Sequence, residues 1–225
     1  MLRRNQIEAR GHQGLAKWLS KAEKEWTKRR GAKAEKMDIY ERLDRGKGLT
    51  GQNPRTPYWL VYNKDGTHLS ACVVTSKKMT VPVGDQTVSL QGFVAQDDTV
   101  FFQTDSREEA EYLCSVFNSR VVDEAIKPIQ ARGLWGERHI QKKPLELAIP
   151  KFDPSNHAHR ALVELAQRCG PSSRNAMDKF IQARGGNVGL LSPQAIGQLR
   201  SKMRENLSVE LDEIDALVCG ILTLD

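Results

Sequence analysis

The residues best suited to chemistry lie between Pro128 and Pro144. There Gly133 and Gly136 bracket Leu134 and Trp135, and Arg132, Arg138, His139, Lys142 and Lys143 surround a single acid, Glu137. Two glycines so close let the backbone turn through conformations that a Cβ disfavours. The side chains suit a nucleic acid: arginine takes a guanine edge bidentately, lysine neutralises phosphate and tryptophan offers a stacking face. A structural use stays open beside this one, with Trp135 plugging a neighbouring core and Arg132 or Arg138 paired to Glu137 to brace the turn. For the loop as a whole, binding explains more of its composition.

The surrounding chain must position that loop. Leu15, Trp18, Leu19, Ala22 and Trp26 recur at helical spacing and predict a helix from Ile7 to Arg30 whose other face is basic, ending in Lys28-Arg29-Arg30. Those three cations are candidates to lie along a DNA backbone. Gly46-Lys-Gly48-Leu-Thr-Gly51 matches a dinucleotide-binding pattern, but a helix precedes it and no helix follows, so it is rejected as a cofactor loop. From Tyr58 to Gln103 the period is two, predicting five or six short antiparallel strands with a turn at Lys64-Asp65-Gly66. Ser106 with Glu108 and Glu109 starts a helix carrying Ala110, Leu113, Cys114 and Phe117, which makes Cys114 a core thiol. After Asn118-Ser119 a second helix, lined by Val121, Val122, Ala125, Ile126 and Ile129, delivers the chain into the glycine loop. Leu145, Leu147 and Ile149 alternate as a short strand. A helix opening at Asp153-Pro154 closes at Gly170, another spans 174–184, a third begins at Ser192-Pro193, and the last runs from Ser208 with acids outward, a lid on the rest. His157 and His159 are two apart on a helix and point in different directions, which does not suit a metal.

The chain has 225 residues, enough for one domain or one domain with a helical appendage. No run approaches the length of an apolar membrane span, and Met1-Leu-Arg-Arg is not followed by the apolar stretch of a secretory signal, so no membrane partner is expected. Four cysteines lie far apart without a Cys-x-x-Cys pair, which fits a reducing cytoplasm and argues against zinc or a disulfide framework. The net charge of +6 is uneven: residues 1–50 hold 14 Lys/Arg against 7 acids, residues 120–151 hold 7 against 4, and residues 205–225 hold six acids and no base. Clustered base points to a polyanion. Catalytic constellations are missing: no adjacent prolines, no Glu-x-Lys or Asp-x-Lys, no phosphate loop, no His-Glu-x-x-His and no Gly-x-Ser-x-Gly.

Phe101-Phe-Gln-Thr-Asp-Ser-Arg-Glu-Glu-Ala-Glu-Tyr-Leu113, Phe117-Asn-Ser119, Ile126-Lys127, Gln130-Ala-Arg-Gly-Leu-Trp-Gly-Glu-Arg-His-Ile140 and Lys142 to Asp153 together form a pattern. It resembles the C-terminal target-recognition part of bacterial adenine-N6 DNA methyltransferases of restriction-modification systems, including fused methylase-nuclease polypeptides. Ile39 to Asp44, Tyr58 to Asn63 and Glu210 to Val218 look similar too, so the likeness covers most of residues 39–225, with Gln130 to Ile140 its most specific part. In that family S-adenosylmethionine binding and methyl transfer belong to an upstream domain with a Pro-Pro catalytic loop, which this chain lacks. The resemblance therefore implies a module with no catalytic residues and no metal or cofactor of its own, holding duplex DNA while a catalytic methyltransferase domain or subunit flips the adenine. Arg132, Trp135, Arg138, His139, Lys142 and Lys143 as contacts follow from their chemistry, not from the family. The expected architecture is α+β: a basic helical segment over 1–50, an antiparallel β meander with flanking helices over 51–170 and a helical C-terminal extension over 171–225. The alternative function is a protein-interaction module docking the catalytic or helicase part of the same system.

Overall fold

A computed structural model describes the chain apart from residues 84, 85, 91, 97, 134, 135 and 223–225; at 82, 83, 86, 132, 133, 136–138 and 188 it describes the backbone alone. The fold is α+β, and two compact units divide it: Met1–Pro54 with Val94–Asp97, and Arg55–Phe93 with Asp98–Asp225. Among the described residues no helix is long and apolar enough to cross a membrane.

In the first unit the single helix expected over 7–30 is two helices, α1 (Arg4–Ala9) and α2 (Gln13–Arg29). Gly11, at φ +82°, takes the left-handed turn, and the Gly11 and His12 N–H groups bond back to the Glu8 and Ile7 carbonyls. That closure ends α1 and suits glycine, which pays no Cβ penalty there. The buried stripe of α2 differs from the expected one. Ala16 and Leu19 pack with Ile7 and Tyr40, whereas Leu15 and Trp18 are 48% and 55% exposed. A polar knot selects this face: the Tyr40 hydroxyl donates to Glu23 (2.7 Å) and accepts the Arg4 N–H (2.8 Å), and Arg4 Nε also reaches Glu23 at 3.0 Å. Tyr40 belongs to α3 (Ile39–Leu43), capped by Asp38, which accepts the Glu41 N–H. Gln52 ties residue 95 to this unit, its amide exchanging two 2.8 Å bonds with the Ala95 backbone.

The second unit is built on a three-stranded antiparallel sheet in the order β2-β1-β5, with β1 at Tyr58–Asn63, β2 at Ala71–Thr75 and β5 at Thr99–Thr104. The Trp59 to Tyr62 run of β1 is buried on both faces. Leu60 and Tyr62 join the helix-side core, while Trp59 meets the rings of Phe93 and Phe101 on the other side. All pairings are antiparallel, as the alternation predicts, but they do not form one meander. Among the described residues β3 (Met79–Val83) and β4 (Gln86–Leu90) form a separate two-stranded sheet, and β6 (Ala131–Gly133) and β7 (Gly136–His139) form another. α4 (Arg107–Asn118), capped by Ser106, packs on β1 and β2. Ser119 ends it, as expected, and also caps α5 (Arg120–Ile126), which stops short of Ile129, the last residue expected in it; Lys127–Ile129 is a 3-10 turn with Pro128 in it.

Two other expectations are corrected. The helix expected to close at Gly170 continues as α6 (His157–Gln182), so the boundary drawn between 170 and 171 falls inside one helix. Pro171 removes one backbone donor, but packing at both ends outweighs that loss. Leu162, Val163 and Leu165 enter the core, and Phe180, under the Arg184 guanidinium, is buried near the far end. Residues 145–149 are not a strand. Lys143–Glu146 is a 3-10 turn with Pro144 in its first turn, and the Ile149 N–H bonds to Leu147 O (2.8 Å), which curls the segment away from any pairing. After α7 (Pro193–Asn206), α8 (Ser208–Ile221) is more than a lid: Ile214 and Val218 are buried with the α4 and α6 side chains. Asp215 of α8 accepts the Arg120 N–H at 2.6 Å and so caps α5 together with Ser119.

Candidate nucleic-acid interface

The glycine loop is the β6–β7 hairpin of the second unit. Its register pairs Ala131 with His139, Arg132 with Glu137 and Gly133 with Gly136. Arg138 is left over as the extra residue of a bulge, a feature that raises local twist. Leu134 and Trp135 lie outside the described residues, as do the side chains of Arg132, Glu137 and Arg138. Both roots of the hairpin are anchored, since Gln130 is 5% exposed and Ile140 fully buried. The Gln130 root has a cost: neither atom of its side-chain amide has a hydrogen-bond partner among the described residues.

The hairpin leans on the turn between β1 and β2. Asp65 forms a bridge with His139, and their side chains meet at 2.7 Å between Oδ1 and Nδ1. The Gln141 N–H donates to Lys64 O at 2.8 Å, with Gln141 at φ +46°. Gly66, at φ +140°, lets the turn double back, and the Asn63 amide bridges the Asp65 and His68 carbonyls. On the far side, Lys127 Nζ donates to Thr67 O at 2.7 Å. The turn and hairpin thus collect Lys64, Lys127, His139 and Lys142 from separate parts of the sequence. Lys64, Asp65 and Lys127 carry no signal in the linear pattern beyond an ordinary hairpin turn and a helix end.

The predicted contacts differ in how free they are. Lys142 is exposed, without an ion pair among the described residues. Lys143 is held by Glu146, with Nζ 3.0 and 3.1 Å from its two oxygens. His139 is half exposed and engaged by Asp65. Lys28, Arg29 and Arg30 belong to the other unit. Lys28 is exposed, Arg29 makes an exposed pair with Glu25 one turn back (2.9 Å), and Arg30 donates to Met37 O at 3.2 Å. Exposed pairs of this kind contribute well under about 1 kcal/mol and exchange readily for phosphate. Arg30 is chiefly a brace for residues 31–37.

Other chemistry finds little support. Asp44 fills the 46–51 segment, accepting the Leu49 and Thr50 N–H groups (2.9 Å each) and the Thr50 hydroxyl. The Thr50 hydroxyl and N–H hold the Asp44 carboxyl below its usual range. His159 is buried in the core, its Nδ1 accepting the Asp153 N–H (3.0 Å) and its ring against Tyr112. Among the described residues no group of three or more His, Cys, Asp and Glu side chains is placed to hold a metal ion. No family model matches the chain, and comparison with curated proteins and with solved structures finds no match either.

Proposed function

We propose that this chain is a non-catalytic reader of duplex DNA, the target-recognition module of an adenine-N6 DNA methyltransferase of a restriction-modification system. The observation that carries this reading is the β6–β7 hairpin, a two-stranded ribbon with Arg132, Arg138 and His139 on its strands and Lys142 just beyond. A two-stranded ribbon fits the major groove. Four residues extend about 13 Å, comparable to a groove roughly 8.5 Å deep and 12 Å wide. Arginines would read base edges, and Lys142, Lys28 and Arg29 would set register on phosphates. S-adenosylmethionine belongs to the separate catalytic domain or subunit, and no residue here is assigned to it.

Selection from a randomised duplex pool, followed by a salt titration on the recovered site, tests the reading. Recovery of a short consensus is expected, with an affinity that falls steeply with salt. Lys142→Ala should lower the salt slope by about 0.9, the value for one phosphate contact. Lys143→Ala should lower it less, because Glu146 already neutralises that ammonium. A pool without consensus and a slope unmoved by Lys142→Ala would remove the function.

A second reading draws on the β3–β4 hairpin. Its register places Met79 opposite Leu90 and Val81 opposite Val88, one apolar face on which Met79, Val88 and Leu90 are 40–49% exposed. Such a face suits a protein partner, the catalytic or helicase part of the same system. On that reading Val88→Asp abolishes co-purification with the partner, and isolated DNA binds weakly without sequence preference.

A further inference from the structure

The β1–β2 turn holds a second histidine that the interface has not yet used. His68 places Nδ1 2.9 Å from Oδ2 of Asp123 on α5, and the other Asp123 oxygen accepts the Leu69 N–H at 2.8 Å. The carboxylate side chain is 12% exposed, while the imidazole it holds is 68% exposed. Lys127 completes the group, 3.6 Å from Asp123. On the hairpin side of the same turn, His139 repeats the arrangement with Asp65 at 2.7 Å. Two imidazoles far apart in sequence are thus brought to one turn, each gripped through Nδ1 by a carboxylate.

The grip decides what the outer nitrogen can do. An ionised carboxylate only accepts, so Nδ1 carries the hydrogen in both rings. The neutral ring then presents a bare lone pair at Nε2. A phosphodiester oxygen is also purely an acceptor, so it meets Nε2 only when that nitrogen has gained a proton. Among the described residues, the charged groups paired around His68 are Asp123 from α5 and Lys127 from the turn that follows it, and His139 is paired with Asp65. Each carboxylate compensates the imidazolium while the ring stays aimed by the Nδ1 bond.

We propose that the β1–β2 turn is a second phosphate-contacting wall of the DNA interface, with His68 and His139 each donating Nε2–H to a backbone phosphate and each taking up one proton from solvent on binding. This rests on the DNA-reading function. His68 thereby joins the interface, and Asp123 and Asp65 are positioning residues.

The test is the affinity of the full chain for its selected duplex between pH 8.5 and 6.0 at fixed ionic strength. Affinity should rise toward low pH, because only a ring carrying both protons can donate Nε2–H to a phosphate oxygen while Nδ1–H stays on its carboxylate. His68→Gln should remove part of that rise, and His68→Gln with His139→Gln should flatten it. Both side chains are more than half exposed, so the variants keep the fold, which circular dichroism verifies. Salt-dependent binding that is indifferent to pH, or a rise that survives the double substitution, overturns this inference alone. Absence of binding at both ends of the pH range overturns it together with the DNA-reading function.

Discussion

Gln130→Met should stabilise the protein, although it deletes a polar side chain from the base of the β6–β7 hairpin. Gln130 is 5% exposed, and neither its Nε2 nor its Oε1 has a hydrogen-bond partner among the described residues. A buried polar group left unpaired costs about 1–3 kcal/mol, and a thioether of similar length removes that cost without opening a cavity. The net gain is roughly 1–2 kcal/mol once small packing losses are allowed for. For a body of this size each kcal/mol moves Tm by about 2–4 °C, so the second unit should melt a few degrees higher. Gln130→Glu should act in the opposite direction, because a carboxylate there must ionise unpaired or stay protonated. Differential scanning calorimetry on the three proteins reads both shifts. A Tm for Gln130→Met equal to or below the parent would mean that the amide is satisfied and that the hairpin root carries no such cost.

Two further outcomes follow from individual environments. Burial pushes the Cys114 thiol up to about 12, and its Sγ lies 3.6 Å from Ala71 O. Iodoacetamide at pH 8 should therefore leave Cys114 unmodified in the native protein and alkylate it only after denaturation, which peptide mapping detects. Asp44 is held below the usual carboxylate range by the Thr50 hydroxyl and N–H, so the folded state binds its proton more weakly than the unfolded chain does. Its contribution is present above the unfolded pKa near about 4 and is lost as pH falls through the folded value. Asp44→Ala should make the acid unfolding of the first unit shallower; an unchanged acid transition would refute the role assigned to that carboxylate.

The elements that could be read in the sequence are those with strong local signals. Ser106 and Ser192 cap the helices expected of them, because a hydroxyl at an N-cap needs only the next turn as a partner. The alternation from Tyr58 to Val73 produced strands for the same reason. Boundaries failed where a distant contact outvoted a local one. Gly170-Pro171 reads as a stop, yet the core contacts of Leu162 and Leu165 and the burial of Phe180 carry α6 through it. Gly11 had no such contacts to oppose it and split a helix that periodicity had joined. The buried face of α2 was misjudged because Tyr40 and Glu23 select it, and hydrophobic spacing contains no record of a hydroxyl arriving from another helix.

The interface divides along the same line. Composition alone marked residues 128–144, since glycine, tryptophan and clustered base are visible without a fold. Pairing was not visible. Lys143 and Arg29 each find a carboxylate within their own helical turn, and Arg30 finds a carbonyl, so three of the proposed cations are already engaged. Conversely, His68 and Asp123 meet only because the β1–β2 turn folds against α5, a contact that no spacing rule encodes. If phosphate is what this surface holds, affinity should follow the groups that folding leaves available, Lys142 and the outer nitrogens of His68 and His139. A simple count of basic residues would instead rank the 28–30 cluster first. Alanine at Lys28, Arg29 and Arg30 together should then cost less DNA affinity than Lys142→Ala with His68→Gln at pH 6, measured on the same duplex. The opposite ranking would place the principal electrostatic contact on α2.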